Sequence, residues 1–217
     1  MQGTKLTRAW FAVTALVALT GLVTQVIATA NDTAGRFPTA AGRIANNFCY
    51  FTTDSNLLVT VTSALVALGV ARGRLFRVLW LDALVGIIVT GIVYQVALAG
   101  LYELHGLRLF SDTLLHKVTP ILFVLGWLVA GPRGALTWRT VGWSLLYPLA
   151  WLAFTLPRGA LTGFYPYPFV DAGALGYGSV TLNCVVIGLF FTILATGALL
   201  YERRFARLAP ALAPADR

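Results

Sequence analysis

The stretch Val78-Leu-Trp-Leu-Asp-Ala-Leu-Val-Gly-Ile-Ile-Val-Thr-Gly-Ile-Val-Tyr-Gln-Val-Ala-Leu-Ala-Gly-Leu101 decides the fold class. It carries one charge, Asp82, and no run of polar residues that would mark a water-facing side. An α-helix needs about 20 such residues to cross the roughly 30 Å hydrocarbon core of a bilayer. The rest of the chain has the same character. Of 217 residues 58% are apolar and 11% charged, and the mean hydropathy is +0.79. Soluble domains carry about 25% charged residues, because their surface must meet water. So few charges exclude a soluble enzyme, a disordered chain, a collagen-like fibre and a disulfide scaffold.

Working outward from Val78–Leu101, five more segments are long and apolar enough to span: Ala9–Ala30, Asn47–Ala71, Thr113–Ala130, Arg139–Leu156 and Gly178–Tyr201. All are predicted to be helices, since backbone groups in lipid must bond within their own segment. The expected fold is an all-α integral membrane protein, a bundle of six transmembrane helices formed by residues 1–206. Residues 207–217, rich in Ala and Pro, read as a disordered tail. The first segment ends in Ala28-Thr29-Ala30, similar to a signal-peptidase site, but its apolar run exceeds the 7–15 residues of a signal core and reads as a span.

The net charge of +8 has a membrane explanation. Lys5, Arg8, Arg72, Arg74, Arg77, Arg133, Arg139, Arg203, Arg204, Arg207 and Arg217 fall on one side of the six spans, against Arg36, Arg43, Arg108 and Arg158 on the other. Basic residues mark cytoplasmic loops, so both termini are expected in the cytoplasm of a cell whose plasma membrane holds the protein. No basic run with interleaved aromatics points to nucleic acid. Cys49 and Cys184 form no metal-binding pair; both fall toward the outer side, where they could bridge if close enough. No cofactor or metal motif is present: no HExxH, no P-loop and no GxSxG.

Polar residues inside spans are costly and normally face a protein interior or a water-filled cavity. Thr52, Ser55, Asn56, Val59 and Thr62/Ser63 share one helical face of the second span. In the fourth span Asp112 and His116 are four residues apart, Lys117 is adjacent, and Pro120 removes the N–H that would bond the His116 carbonyl. Asn183 adds an amide at the start of the sixth span. In the fifth loop Phe164-Tyr165-Pro166-Tyr167-Pro168-Phe169 reads as an aromatic belt or as a cap over an outward-facing pocket. With a cytoplasmic N-terminus, spans two, four and six all start on the outer side, so these clusters can meet there. Positive helix ends at one pocket would favour an oxyanion and a neutral imidazole. An alcohol beside a neutral imidazole is a minimal activated nucleophile. Asp82 is expected to form an ion pair near the cytoplasmic side.

These motifs resemble the androgen-induced-protein family of six-span membrane proteins, and its bacterial branch in particular. Tyr50-Phe51-Thr52 is similar to an aromatic-hydrophobic-Thr element at the start of one span. His116 and Pro120 match a His shortly before a Pro in a later span, and Tyr167-Pro168-Phe169 matches a Tyr-Pro-Phe element in the last outer loop. Animal members place one more residue between that His and Pro, and a second His where this chain has Thr113. They are threonine hydrolases of fatty acid esters of hydroxy fatty acids. The resemblance implies Thr52 as nucleophile and His116 as its base.

The resulting expectation is an intramembrane hydrolase of lipid esters near the outer leaflet, with a membrane lipid or acyl ester as substrate and no cofactor. Ser55, Asn56, Asp112, Lys117, Pro120, Tyr165, Tyr167 and Asn183 would support the pair. Ser55 is a reserve nucleophile, and Asn56, Asn183 or Lys117 a donor to the oxyanion. The alternative is a non-enzymatic lipid-binding or transport protein. Oligomeric state is open.

Overall fold

The computed structural model describes residues 4–32, 36–133 and 136–208. Among them there is no strand. The helices are α1 (Lys5–Ala30), α2 (Ala40–Asn47), α3 (Phe51–Leu68), α4 (Gly73–Leu98), α5 (Gly106–Ala130), α6 (Trp138–Ser144), α7 (Leu146–Thr162) and α8 (Ala172–Leu208). Five of them, α1, α3, α4, α5 and α8, are long and apolar enough to cross a membrane. Their outward-facing residues include Leu16, Val61, Val96, Ile121 and Ile193, each more than 40% exposed. That is the surface of a multi-pass membrane protein: these side chains find in lipid tails the apolar surroundings that a soluble core would supply.

The first half of the Val78–Leu101 stretch, through Thr90, is the core of the bundle. In α4 Trp80, Leu81, Ala83, Val85 and Ile87 have no exposed surface. α3, α5, α6 and α8 pack around it, and α1 lies along α3 and α5. Phe11 of α1, Trp80 of α4 and Phe123 of α5 stack edge-on or tilted, with ring centroids 4.9 to 6.1 Å apart. The polar face expected for α3 is the face it buries: Thr52, Ser55, Asn56, Val59, Thr62 and Ser63.

Three elements depart from the sequence expectation. The segment Arg139–Leu156 is not one continuous helix. It breaks at Leu145 between α6 and α7, and α7 runs on to Thr162. Pro148 has no N–H to offer the Ser144 carbonyl, so the ladder fails one turn before the proline. The fourth segment starts earlier than Thr113: its helix begins at Gly106 and contains a π turn over Leu114–Val118. The opening lies next to Pro120, where the His116 carbonyl has lost its partner. His116 therefore sits well inside a helix, and the positive helix end expected beside it is at Gly106 instead. Asp82 makes no ion pair among the described residues. It is 4% exposed, and its Oδ1 has no hydrogen-bond partner. Arg74 and Arg77 lie in the first turns of α4, Arg74 exposed and Arg77 half-buried with its Nε donating to the Gly73 carbonyl.

Both cysteines are free, Cys49 buried and Cys184 half-buried. α8 carries a break at Gly176, whose φ of 75° suits glycine, and then runs through Arg207 and Leu208, the first residues of the expected tail. Residues 209–217 lie outside the described part. The C-terminal end of α1, the N-terminal ends of α3 and α8 and the C-terminal ends of α4 and α7 gather at one end of the bundle. Arg43 fastens that end by donating to the carbonyls of Thr29, Ala30, Phe37 and Pro38. Arg158 donates to Asn46, and Arg36 to the carbonyls of Thr162 and Gly163. At the other end Arg8 of α1 donates to the Ala67 carbonyl of α3.

Candidate active site

Thr52 lies in the first turn of α3, where the backbone N–H groups have no helical acceptor and the macrodipole is positive. Its N–H donates to the Tyr167 hydroxyl at 3.1 Å. Its Oγ1 lies 3.2 Å from that hydroxyl and 3.3 Å from His116 Nε2. The alcohol and the imidazole thus come from distant segments into direct contact.

The imidazole is held from its other side. His116 Nδ1 is 3.0 Å from Asp112 Oδ1 and 3.2 Å from the Asp112 carbonyl, so two acceptors place its proton on Nδ1. Nε2 is then the acceptor for the Thr52 hydroxyl. Tyr94 of α4 donates to Asp112 Oδ2 at 2.6 Å, and its ring stacks on the imidazole with centroids 4.0 Å apart and planes at 17°. Thr52, His116 and Asp112 form a nucleophile–base–acid chain of the kind that activates an alcohol. Tyr94 orients both the acid and the ring.

Two further contacts fix the distance between the segments. Asn56 Nδ2 donates to the carbonyls of Thr52 and Leu115, at 2.9 and 3.2 Å. It therefore ties α3 to the π turn one residue before His116. The α5 backbone comes close to α4 at Gly91, where a Cβ would meet Pro120 Cβ at 3.3 Å and the His116 carbonyl at 3.6 Å. Pro120 is thus both the cause of the open turn and part of its packing.

Tyr167 caps the site from the loop before α8. It is 8% exposed, with its ring stacked on Phe169. Burial pushes its phenol above the ordinary value, while its hydrogen bonds with Thr52 pull the other way. It therefore stays protonated in neutral solution, accepts from the Thr52 N–H and offers its own proton to Thr52 Oγ1.

The other expected members are elsewhere. Ser55 is fully buried and bonded to the Tyr147 hydroxyl at 2.9 Å, against Gly86, so it is not a reserve nucleophile for His116. Lys117 is exposed on the outside of α5, because consecutive residues of a helix point about 100° apart. Asn183 donates to the Phe169 carbonyl and braces the loop. Tyr165 packs its ring flat on Gly159 of α7, where a Cβ would overlap it. Both Asn56 amide hydrogens are committed. Asn56 is spent, Lys117 faces outward, and Asn183 lines neither cavity at Thr52, so none of the three serves an oxyanion there. The donors beside Thr52 Oγ1 are its own N–H, which bonds the Tyr167 oxygen, and the Tyr167 hydroxyl, which bonds Thr52 Oγ1; each reaches an oxyanion only by exchanging that partner. Asn47, 4% exposed, has an Nδ2 with no hydrogen-bond partner and lines the same vestibule.

Two cavities meet at Thr52. A vestibule of about 610 Å³ opens at the gathered helix ends; Arg36, Arg43, Glu103, Arg108 and Asp112 line it together with His116. Arg108 pairs there with Asp32. A second chamber of about 320 Å³ lies among α4, α7 and α8 and is almost wholly apolar. Thr52, Tyr94, Leu98 and Tyr167 border both. Tyr94 and Asn47 were not foreseen from the sequence, nor was the chamber. Comparison with protein-family models, curated proteins and solved structures finds no match to the chain.

Proposed function

We propose that this chain is a membrane-embedded hydrolase of lipid esters, with Thr52 as nucleophile, His116 as general base and Asp112 as the group that orients it. The observation that carries this reading is the unbroken hydrogen-bond chain from Thr52 Oγ1 through His116 to Asp112, placed where a polar and an apolar cavity meet. The resemblance of Tyr50-Phe51-Thr52, His116–Pro120 and Tyr167-Pro168-Phe169 to the androgen-induced-protein family supports the same assignment. On this reading α6 and α7 together make a sixth, broken crossing. Both termini then face the cytoplasm, and the site opens toward the outer leaflet of the plasma membrane.

Thr52 Oγ1 attacks the ester carbonyl carbon as its proton passes to His116 Nε2. The carbonyl oxygen becomes an oxyanion, which the Thr52 N–H and the Tyr167 hydroxyl meet by exchanging their resting bonds to Tyr167 and Thr52 for it. The tetrahedral centre collapses, the bond to the alcohol oxygen breaks, and His116 returns the proton to that oxygen. Water then attacks the acyl-threonine with His116 again as base, which releases the acid and restores Thr52. Asp112 stays ionised and stabilises the imidazolium formed in each half.

The test uses a fluorophosphonate probe on the purified protein. Labelling is expected in the wild type and absent in Thr52→Ala and His116→Ala variants that remain folded. Labelling that persists in both variants, or wild type that neither labels nor cleaves any acyl ester, would replace this reading with a lipid-binding or transport protein.

A further inference from the structure

We infer that the apolar chamber between α4, α7 and α8 is the binding site for the acyl chain of the scissile ester, and that Gly188 sets the length of chain it accepts. The inference rests on the hydrolase reading for the role of Thr52, and goes beyond it in assigning where the chain lies and what limits it.

Several features of the chamber point to a hydrocarbon chain. Its walls are side chains such as Val89, Val93, Leu152, Ile187 and Phe191, and its volume of about 320 Å³ lies at the small end of the range for small-molecule pockets. Thr192, one of its few hydroxyl-bearing residues, turns its Oγ1 back to the Gly188 carbonyl at 2.8 Å, so it presents a methyl group. No charged residue lines it. A water-filled or ion-conducting space would need polar partners that these walls do not provide. The chamber reaches Thr52 at one end, so a chain lying in it holds its carbonyl at the nucleophile.

Its mouth faces the lipid. Leu149 of α7 and Val185 and Leu189 of α8 line it, and all three are more than half exposed on the outer surface of the bundle. A chain already in the bilayer therefore passes sideways between α7 and α8 without crossing water. The break between α6 and α7 contributes, since Leu145 and Pro148 line the chamber. Moving a chain from lipid tails to apolar walls gains little hydrophobic free energy, because both surroundings are equally apolar. Discrimination must come from fit.

Gly188 is where that fit is set. It sits one turn from both Cys184 and Thr192, in the middle of the α8 face that lines the chamber. A Cβ built there meets nothing within 4 Å. The first carbon of a side chain at this position therefore finds open space, and because Gly188 lines the chamber a large side chain there takes up part of its volume.

The experiment compares wild type, Gly188→Leu and Gly188→Trp in lipid nanodiscs on butyryl, octanoyl and palmitoyl esters of one alcohol. Fluorophosphonate labelling of Thr52 reports that each variant is folded and competent. Gly188→Trp should lower kcat/KM on the two longer esters by about tenfold or more, and stay within about threefold of wild type on the butyryl ester. Gly188→Leu should fall between, and stands in if the tryptophan variant does not fold. An unchanged length profile in a labelled variant overturns the inference and leaves the hydrolase reading intact. If the wild type cleaves none of the esters, displacement of parinaric acid decides. Binding to wild type that Gly188→Trp abolishes upholds the chamber as an acyl site while the hydrolase reading fails; equal binding, or none, overturns the chamber.

Discussion

At Thr52 and His116 the arrangement depends on which nitrogen carries the imidazole proton. Asp112 decides this by accepting from Nδ1, and Tyr94 holds Asp112 through its second oxygen. Asp112→Asn removes the charge that stabilises the imidazolium, and its amide is expected to favour the wrong tautomer. Ester hydrolysis should fall by about 10²- to 10⁴-fold with the fold intact, measured as kcat beside thermal unfolding in detergent. Tyr94→Phe keeps the stacked ring and loses only the hydrogen bond, so a drop of about tenfold is expected in the same assay. Asn56→Leu should act on stability, since it takes the side-chain donor from the Leu115 carbonyl and removes the tie to Thr52, at about 1–3 kcal/mol. A midpoint of unfolding equal to that of wild type would contradict the tie seen between α3 and the π turn. That Thr52, His116 and Asp112 share an interior was legible in the sequence, because polar residues in lipid-length segments demand one and four residues make one helical turn; the choice of Thr52 over Ser55 rested on the family resemblance. Tyr94 was not legible. It lies in a strongly apolar stretch, and a phenol there reads as packing until its acceptor is known.

The helices succeed or fail as sequence readings according to how their ends and breaks are encoded. α1, α3, α4 and α8 follow from length and apolar content. The early start of α5 does not, because Gly106–Asp112 mixes Arg108 and Ser111 with leucines and its burial depends on Gln25 of α1, which accepts from Ser111. The break at Leu145 is announced by Pro148 only in retrospect; a proline in a span can kink a helix or divide it. The π turn at Leu114–Val118 carries the same ambiguity with Pro120. Pro120→Ala restores an N–H able to bond the His116 carbonyl and should tighten that turn. Activity is expected to fall several-fold while thermal stability holds or rises; unchanged kinetics would mean the open turn does not matter to His116. On the loop side, Gly159→Leu collides with the Tyr165 ring, so the cap that carries Tyr167 should shift. Loss of hydrolysis with Thr52, His116 and Asp112 untouched is the expected result.

For the whole molecule, direction and access are testable. On the proposed orientation the end opposite the site, rich in arginine and lysine, lies in the cytoplasm. Single cysteines at Tyr102, beside the vestibule, and at Arg74, at the far end of α4, test this. On intact cells a membrane-impermeant maleimide should modify Tyr102→Cys and spare Arg74→Cys; the reverse pattern inverts the topology. The vestibule and the chamber part at Thr52, one toward water and one toward lipid. Under the proposed hydrolysis, a bond cut at that junction would release its two halves into different phases. The acid would keep its hydrocarbon in the bilayer, a sufficiently polar alcohol would depart into solution, and dilution across the boundary would then work against reversal.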